Sequence, residues 1–531
     1  MNQTQIPNAR ELATRLERIP KSPERLLEPP PLPAGARIRT PSGLNRLDRR
    51  GLFAPLLAAP GGPQPGASAR QAGNGAPDTV LELVHRITQG FSLAEYQRAK
   101  RLGYHAYLEE QLDHLSIDDS DMDARLANFP TLTQSPKELV DAYSFDPAIP
   151  QLELKGAMVV RAVHSKRQLF ERMCEFWTDH FNINHNKDPE WAFKNEDDRE
   201  VIRKYALATF PELLSASAHS GAMMYYLDNW LNIVGTAQEN YARELMELHT
   251  LGVNGGYTET DVKEVAKVLT GWSLNLNSSS PNYLRFQFVR AWHQTGTKTV
   301  LGQTIPPFSY QQGGEQVLAI LSSHPSTARH IATKMTKWLL TENPPQEIID
   351  DVTATYLATG GDIKAMIRAI LREEYLAQVP SAIAPKFRRP FHYVASLLRG
   401  LEAEVYDPNA LLYFLSIMGH LPFDWHAPNG YPDSVNAWGR SLLPRWSFAS
   451  FLLLNYIPGV QVSLGKILAL LGGFGAKGLA KRIDTRILGR ALSPAERKRV
   501  QAFLDARAPL IWPEVYEAIG LAASAPSYQW A

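Results

Sequence analysis

The sequence predicts a mainly α protein: a large multi-helix domain with one minor β-hairpin and a disordered N-terminal tail. Three observations lead there. Apolar residues recur at helical spacing through most of the chain from residue 79 onward. A single stretch, Tyr283 to Thr304, breaks that spacing with alternating residues. Residues 1–78 are rich in Pro, Gly, Ala and Arg and poor in large apolar side chains, a composition that cannot offset the entropy of ordering.

The tail comes first. Within it Arg49-Arg50-Gly51-Leu52-Phe53, followed by a short apolar run, weakly resembles a twin-arginine signal placed far from Met1. A disordered tail accounts for the composition more simply. Residues 79–531 are then expected to form a single helical domain. Leu81, Leu83, Val84 and Ile87 open the first helix, and Ser92 starts the second. A third covers His105 to Leu115, and a long helix is expected from about Leu152 to Phe181. Further helices are read at Glu196–Leu207, Phe210–Ser217 and Met223–Trp230.

The next segment, Gln238 to Trp272, carries most of the interpretable chemistry. A helix from Gln238 to Leu251 has Tyr241, Leu245 and Leu248 on one face, widened by Ala242, Met246 and His249. Glu239, Arg243 and Glu247 follow at i+4 steps as an opposite-charge ladder. Gly252 suits a left-handed cap, Asn254-Gly255-Gly256 a turn, and Thr258 with Asp261 a capping box. A second amphipathic helix runs on to Trp272.

Beyond it, YLRFQFVRAWH and TKTVLGQTI are expected to pair as the minor hairpin, turning near Thr295-Gly296. Helices resume at Gly314–Ser322, Ser326–Leu340, Gln346–Thr359, Asp362–Leu371, Arg389–Glu402 and Asn409–Met418. An aromatic loop, Phe423 to Trp438, follows. It could stack a glycan or peptide, or simply be pinned to the core. The uncharged run Trp446–Gly465 is long enough for a membrane span, but Asn455, Pro458 and Gln461 favour a buried helix to about Tyr456, so no transmembrane segment is expected. Lys466 to Arg482 could form a surface amphipathic helix.

Composition narrows the function classes. The 531 residues hold 55 Lys and Arg against 54 Asp and Glu, a balance that argues against a dedicated nucleic-acid binder. One cysteine, Cys174, rules out an internal disulfide and a Cys-based zinc cluster. No P-loop, dinucleotide fingerprint or nucleophile elbow is present.

The candidate site is therefore built from the mid-chain helix. If that helix is internal, its ions must pair, bind a metal or serve chemistry, because an unpaired buried charge is very costly. Glu244 and Glu247, at i and i+3, can project to one side, where they suit a divalent metal or acid–base work. Arg243 could hold an anionic group. Asp228 could orient Arg243 or join a metal site, and His180 is the remaining candidate ligand. Arg243, Glu244, Glu247 and Asp228 are thus the catalytic candidates; His180, Glu244 and Glu247 are the metal candidates. The competing reading makes the ladder solvated, His180 a hydrogen-bonded core histidine and Asp228 a turn cap.

A set of motifs adds a family resemblance: FWTDHF (176–181), MMYYLDN (223–229), ENYARELMELHTLGVNGGYTETDV (239–262), LTGW (269–272), HPSTARHIATKM (324–335), and GYP (430–432) followed by Trp438. Their order and spacing resemble the bacterial domain of unknown function 1800 family, over about Thr79 to the end. The resemblance implies a mostly helical, often exported protein, periplasmic or at the cell surface, in frequent company with a sulfatase-like exported protein. It implies no established activity. Two features depart from the family pattern: Gln294 follows His293 where an Asp is usual, and no clear signal peptide opens the chain. Two functions follow as alternatives: a non-catalytic partner or assembly factor acting with that sulfatase-like protein, or a metal-assisted or acid–base hydrolase using a buried Glu/Arg/His cluster.

Overall fold

A computed structural model describes residues 77–379, 383–439 and 441–531. The tail expected at 1–78 and the twin-arginine-like stretch inside it fall almost wholly outside the described residues.

Helices dominate, as the apolar spacing predicts. Thr79–Ile87 is capped by Asp78, and Leu93–Leu102 by Ser92, whose side chain accepts from Glu95 N. Gln346–Thr359 matches its expected bounds, and Pro325–Leu339, Ile363–Ile370, Pro390–Gly400 and Asn409–Ile417 match within a few residues. Two large apolar cores organise these helices. The first draws on side chains from Val80 to Ile383. The second is built mainly from Phe391 to Tyr528, with Val159, Val160, Ala162 and Val163 reaching into it from the Ala148–His164 helix.

The long helix expected over Leu152–Phe181 is two helices, Ala148–His164 and Gln168–His180. The break has a polar cause. Asp119 takes Ser165 Oγ at 2.6 Å and Lys166 N at 2.9 Å, and buried Gln168 donates to Ser165 O at 2.7 Å. Local side-chain bonds of this kind compete with the helical ladder and stop it.

The minor β element also differs from expectation. Of the two segments expected to pair with each other, the first finds another partner and the second folds back on itself. Phe286–Phe288 runs antiparallel to Trp272–Leu274, and Lys298–Val300 pairs with Gln303–Ile305. Leu301 and Gly302 both have positive φ, at 49° and 74°, the conformation a two-residue hairpin turn needs. That tight turn captures the second segment locally. Glu404–Val405 and Val460–Gln461 form a third two-stranded pair.

The uncharged run contributes most of the helix Leu442–Leu453, five of whose 12 residues are buried, followed by a turn. No helix among the described residues is long and apolar enough to cross a membrane. The amphipathic stretch expected over Lys466–Arg482 is split into Leu464–Leu471 and Leu479–Arg486, with Gly472, Gly473 and Gly478 at positive φ between them.

Candidate functional site

The mid-chain helix is α-helical only over Asn240–Glu244 and continues as a π-helix over Leu245–Thr250. The wider turn shows in Leu251 N donating to Met246 O at 2.8 Å and Thr250 Oγ1 to Leu245 O at 2.6 Å. Such π segments inside helices often mark functional positions. Tyr241, Ala242, Leu245, Met246, His249 and Thr250 are buried. The Thr258–Asp261 capping box opens the next helix as expected.

The charged face is where the expectation of an internal helix fails. Arg243 pairs with Glu239 at 3.3 Å and with Glu259 at 2.7 Å, and the three side chains are 34%, 38% and 68% exposed. The helix presents its apolar side to the core and leaves this ladder at the solvent edge, where such pairs contribute ~0–1 kcal/mol each. Glu247 accepts from Tyr257 Oη at 3.1 Å. Glu244 is half-buried, and burial followed by repulsion from Glu247 pushes its carboxyl above the ordinary range. The two carboxylates therefore do feel each other, as their spacing predicts. Asp228 sits at φ 61° and pairs with Lys187 at 2.9 Å, while the ion-pair partners of Arg243 are Glu239 and Glu259.

His180 ends the Gln168–His180 helix, fully enclosed. Its Nε2 lies 3.1 Å from His249 O, and Lys334 Nζ lies 2.8 Å from its Nδ1. A carbonyl only accepts, so Nε2 carries the proton and Nδ1 takes the hydrogen bond from the lysine. His330 Nε2 donates in the same way to Leu248 O at 3.1 Å. The two imidazoles thus satisfy carbonyls of the last helical turn, which has no partners of its own. Burial, then the charge of Lys334, keeps His180 well below its usual pKa; the same two causes, in the same order, bring His330 to about 4. Gly252 makes this approach possible: its φ is 83°, and a Cβ there would lie 2.9 Å from His330 Nδ1. No hydrogen bond or ion pair joins His180 to Glu244 or Glu247. Among the described residues no group of three or more His, Cys, Asp or Glu is arranged to hold a metal ion. His185 is buried against Phe423 and shares no ring contact with His180.

Sequence reasoning missed a buried charge network that begins at Asp179, next to His180, and lies where the two cores meet. Arg389, with its side chain 3% exposed, bonds Asp179, reaches Asp433 at 3.4 Å and lies 4.6 Å from the Trp338 ring centre. Lys386 pairs with Asp433 at 2.5 Å. Glu175 accepts from His392 Nε2 at 2.9 Å and from Gln89 Nε2 at 3.0 Å. Burial raises the Asp179 carboxyl to about 6 against the pull of Arg389. Lys386 and Arg389 prevail over burial at Asp433 and hold it down to about 2. Burial lowers Lys334 to about 8 and Lys386 to about 8. A signal was present: HPSTARHIATKM places His330 and Lys334 one helical turn apart, and FWTDHF places Asp179 beside His180.

The Phe423–Trp438 loop closes over this network. Tyr431 and Trp438 are buried with Phe387 and Trp530, Tyr431 Oη donates to Leu421 O at 2.6 Å, and Asp433 supplies the acid for Lys386 and Arg389. Gly430 has φ 73°, and a Cβ there would fall 2.0 Å from Asp179 O. The aromatics pin the loop to the core.

A family model described as "Protein of unknown function (DUF1800)" covers residues 82–530. No curated protein matches the chain, and no solved structure matches it. The matched span takes in the mid-chain helix, the His180–His330–Lys334 cluster and the Arg389 network, and the chain belongs to the DUF1800 family.

Proposed function

We propose that the protein is a non-catalytic helical partner or assembly factor that works through its outer surface, with residues 79–531 acting as one unit. The observation that supports this reading is how the candidate side chains are engaged. Arg243 is taken up by Glu239 and Glu259, Asp228 by Lys187, Glu247 by Tyr257, and His180 by a carbonyl and Lys334. A hydrolase built on these groups would need them turned toward one opening; their partners lie on different elements. The interior ions mostly answer one another, the condition under which buried ion pairs act as register pins between packed elements.

The partner class, an exported sulfatase-like protein, rests on the family resemblance, as does a periplasmic or cell-surface location. The test is affinity capture of the full chain from its own host after mild extraction. Recovery of the sulfatase-like protein in fixed proportion is the expected result. Capture of the chain alone, at concentrations well above those in the cell, would end the proposal.

A further inference from the structure

Residues 477–498 present charge of one sign. Seven Lys and Arg stand there against two acids, Asp484 and Glu496, in a sequence that is otherwise balanced at 55 basic and 54 acidic residues. Both acids are buried and already engaged. Asp484 accepts from Leu492 N and from Arg497, each at 2.9 Å; Glu496 accepts from Ser493 Oγ at 2.8 Å and from Ser527 N at 3.1 Å. The charge this stretch turns to solvent is therefore wholly positive.

The same residues build a groove of about 650 Å³ between the helices Leu479–Arg486 and Pro494–Asp505. That volume lies within the ~300–1,000 Å³ of binding clefts and suits several residues of a chain rather than one small ion. Lys481 and Thr485 stand one turn apart on the first helix; Arg497 and Gln501 stand one turn apart on the second, with Lys498 beside them. Arg490 completes the wall, and no carboxylate side chain lines the groove. Two of the four cations are paired, Arg497 with Asp484 and Arg490 with Asp78 at 3.3 Å. The other two are not. Lys481 and Lys498 are exposed, and among the described residues no hydrogen bond or ion pair engages either ammonium group.

A second observation comes from the point where the chain enters the body. Asp78, bonded to Arg490 of the groove, lies next to the start of the described residues. The segment 37–76 just before it holds six Arg against one Asp. That segment has the wrong sign to occupy the groove, and it adds to the positive charge on this side of the molecule.

We propose that this groove docks an acidic, extended segment of a partner protein, with its carboxylates received by Lys481 and Lys498. That the occupant is a protein rests on the partner reading above; that it is acidic rests on the groove. The lining holds neither an aromatic side chain for a nucleic-acid base to stack on nor a large apolar side chain to enter a bilayer. Charge contacts of this exposed kind steer association and weaken with salt.

A fluorescein-labelled decaglutamate peptide tests this on the full chain with no host partner present. In about 50 mM salt its anisotropy should rise saturably with protein, and the affinity should fall about tenfold in about 0.3 M salt. Lys481→Glu with Lys498→Glu should weaken binding about tenfold or more at an unchanged urea midpoint. If that double variant does not fold, Lys481→Gln with Lys498→Gln is read in its place, with a several-fold loss expected. No binding, or binding that the substitutions leave unchanged, overturns the proposal. So does tighter binding, lost in the same variant, of a ten-residue oligothymidylate or of phosphatidylcholine vesicles containing phosphatidylglycerol. Decaglutamate binding alongside failed capture of the sulfatase-like protein sustains the groove and ends only the choice of that partner.

Discussion

Replacing Arg389 by Met tests the junction network most sharply. The guanidinium serves Asp179, Asp433 and the Tyr431 carbonyl at 3.2 Å, and it stacks on Trp338. Methionine retains most of the packing volume and removes the charge. Asp433 keeps Lys386 at 2.5 Å, so the acid that loses its ion-pair partner is Asp179, left with only the more distant charge of Lys334. Breaking a buried pair from one side costs ~3–5 kcal/mol, and the lost cation–π contact adds about 0.5–2 kcal/mol. A loss of about 3 kcal/mol or more at pH 7 is expected, read by urea denaturation with tryptophan fluorescence. The pH dependence follows from the sign of the shift. Burial already holds the Asp179 carboxyl at about 6, and without Arg389 it moves higher. The folded variant then binds a proton that the unfolded chain does not take up until pH ~4, so native protonation exceeds unfolded protonation in between. Stability of the variant should therefore rise as pH falls from 7 to 5, by up to ~1.4 kcal/mol per unit, and Asp179→Asn added to Arg389→Met should recover a large part of the loss at pH 7. A loss below ~1 kcal/mol at pH 7, or one that does not change with pH, would refute the reasoning.

Three other outcomes are expected. Asp433, held down to about 2, contributes stability that is complete above its unfolded value near 3.8 and is lost as pH falls through 2; Asp433→Asn should remove ~2 kcal/mol of acid-dependent stability from a urea-versus-pH series. Arg243→Ala should cost no more than ~1 kcal/mol, with the cost shrinking in 1 M salt, because its partners Glu239 and Glu259 lie at the solvent edge. Gly430→Ala combines a φ of 73° with a Cβ 2.0 Å from Asp179 O, so the loop must shift; a loss of more than ~2 kcal/mol and faster proteolysis within Phe423–Trp438 should follow.

What the sequence makes legible here follows the range over which each signal acts. Helix existence, the Thr258–Asp261 box and the Gly252 cap depend on residues within a few positions of each other, and all three appear where the spacing puts them. The break at Ser165 depends on Asp119, dozens of residues earlier, which no periodicity within the helix can reveal. The strand pairing failed for a related reason: the Leu301-Gly302 turn fixes Lys298–Val300 to its own neighbour, and Phe286–Phe288 is claimed by Trp272–Leu274. At the site, Glu244 and Glu247 do interact as their i, i+3 spacing implies, while Arg243 turns to Glu259, which lies on the following helix. The largest gap is the Arg389 network. Asp179, Lys334, Arg389 and Asp433 are scattered over more than 250 residues, and their charges meet only where the Pro325–Leu339 and Pro390–Gly400 helices, the Gln168–His180 helix and the Phe423–Trp438 loop come together.

On the reading proposed above, the acidic mid-chain helix is a folding element with a solvent-edge ladder, and the molecule works through its surface. The most direct measurement replaces Glu244 and Glu247 together by Gln and follows urea stability and capture of the sulfatase-like protein in one preparation. Stability within ~0.5 kcal/mol of the parent, or slightly above it once the like-charge repulsion is gone, with undiminished partner recovery, is the predicted result. Intact folding accompanied by loss of partner capture, or a change in stability well beyond ~0.5 kcal/mol, would contradict it and give these two carboxylates a role of their own.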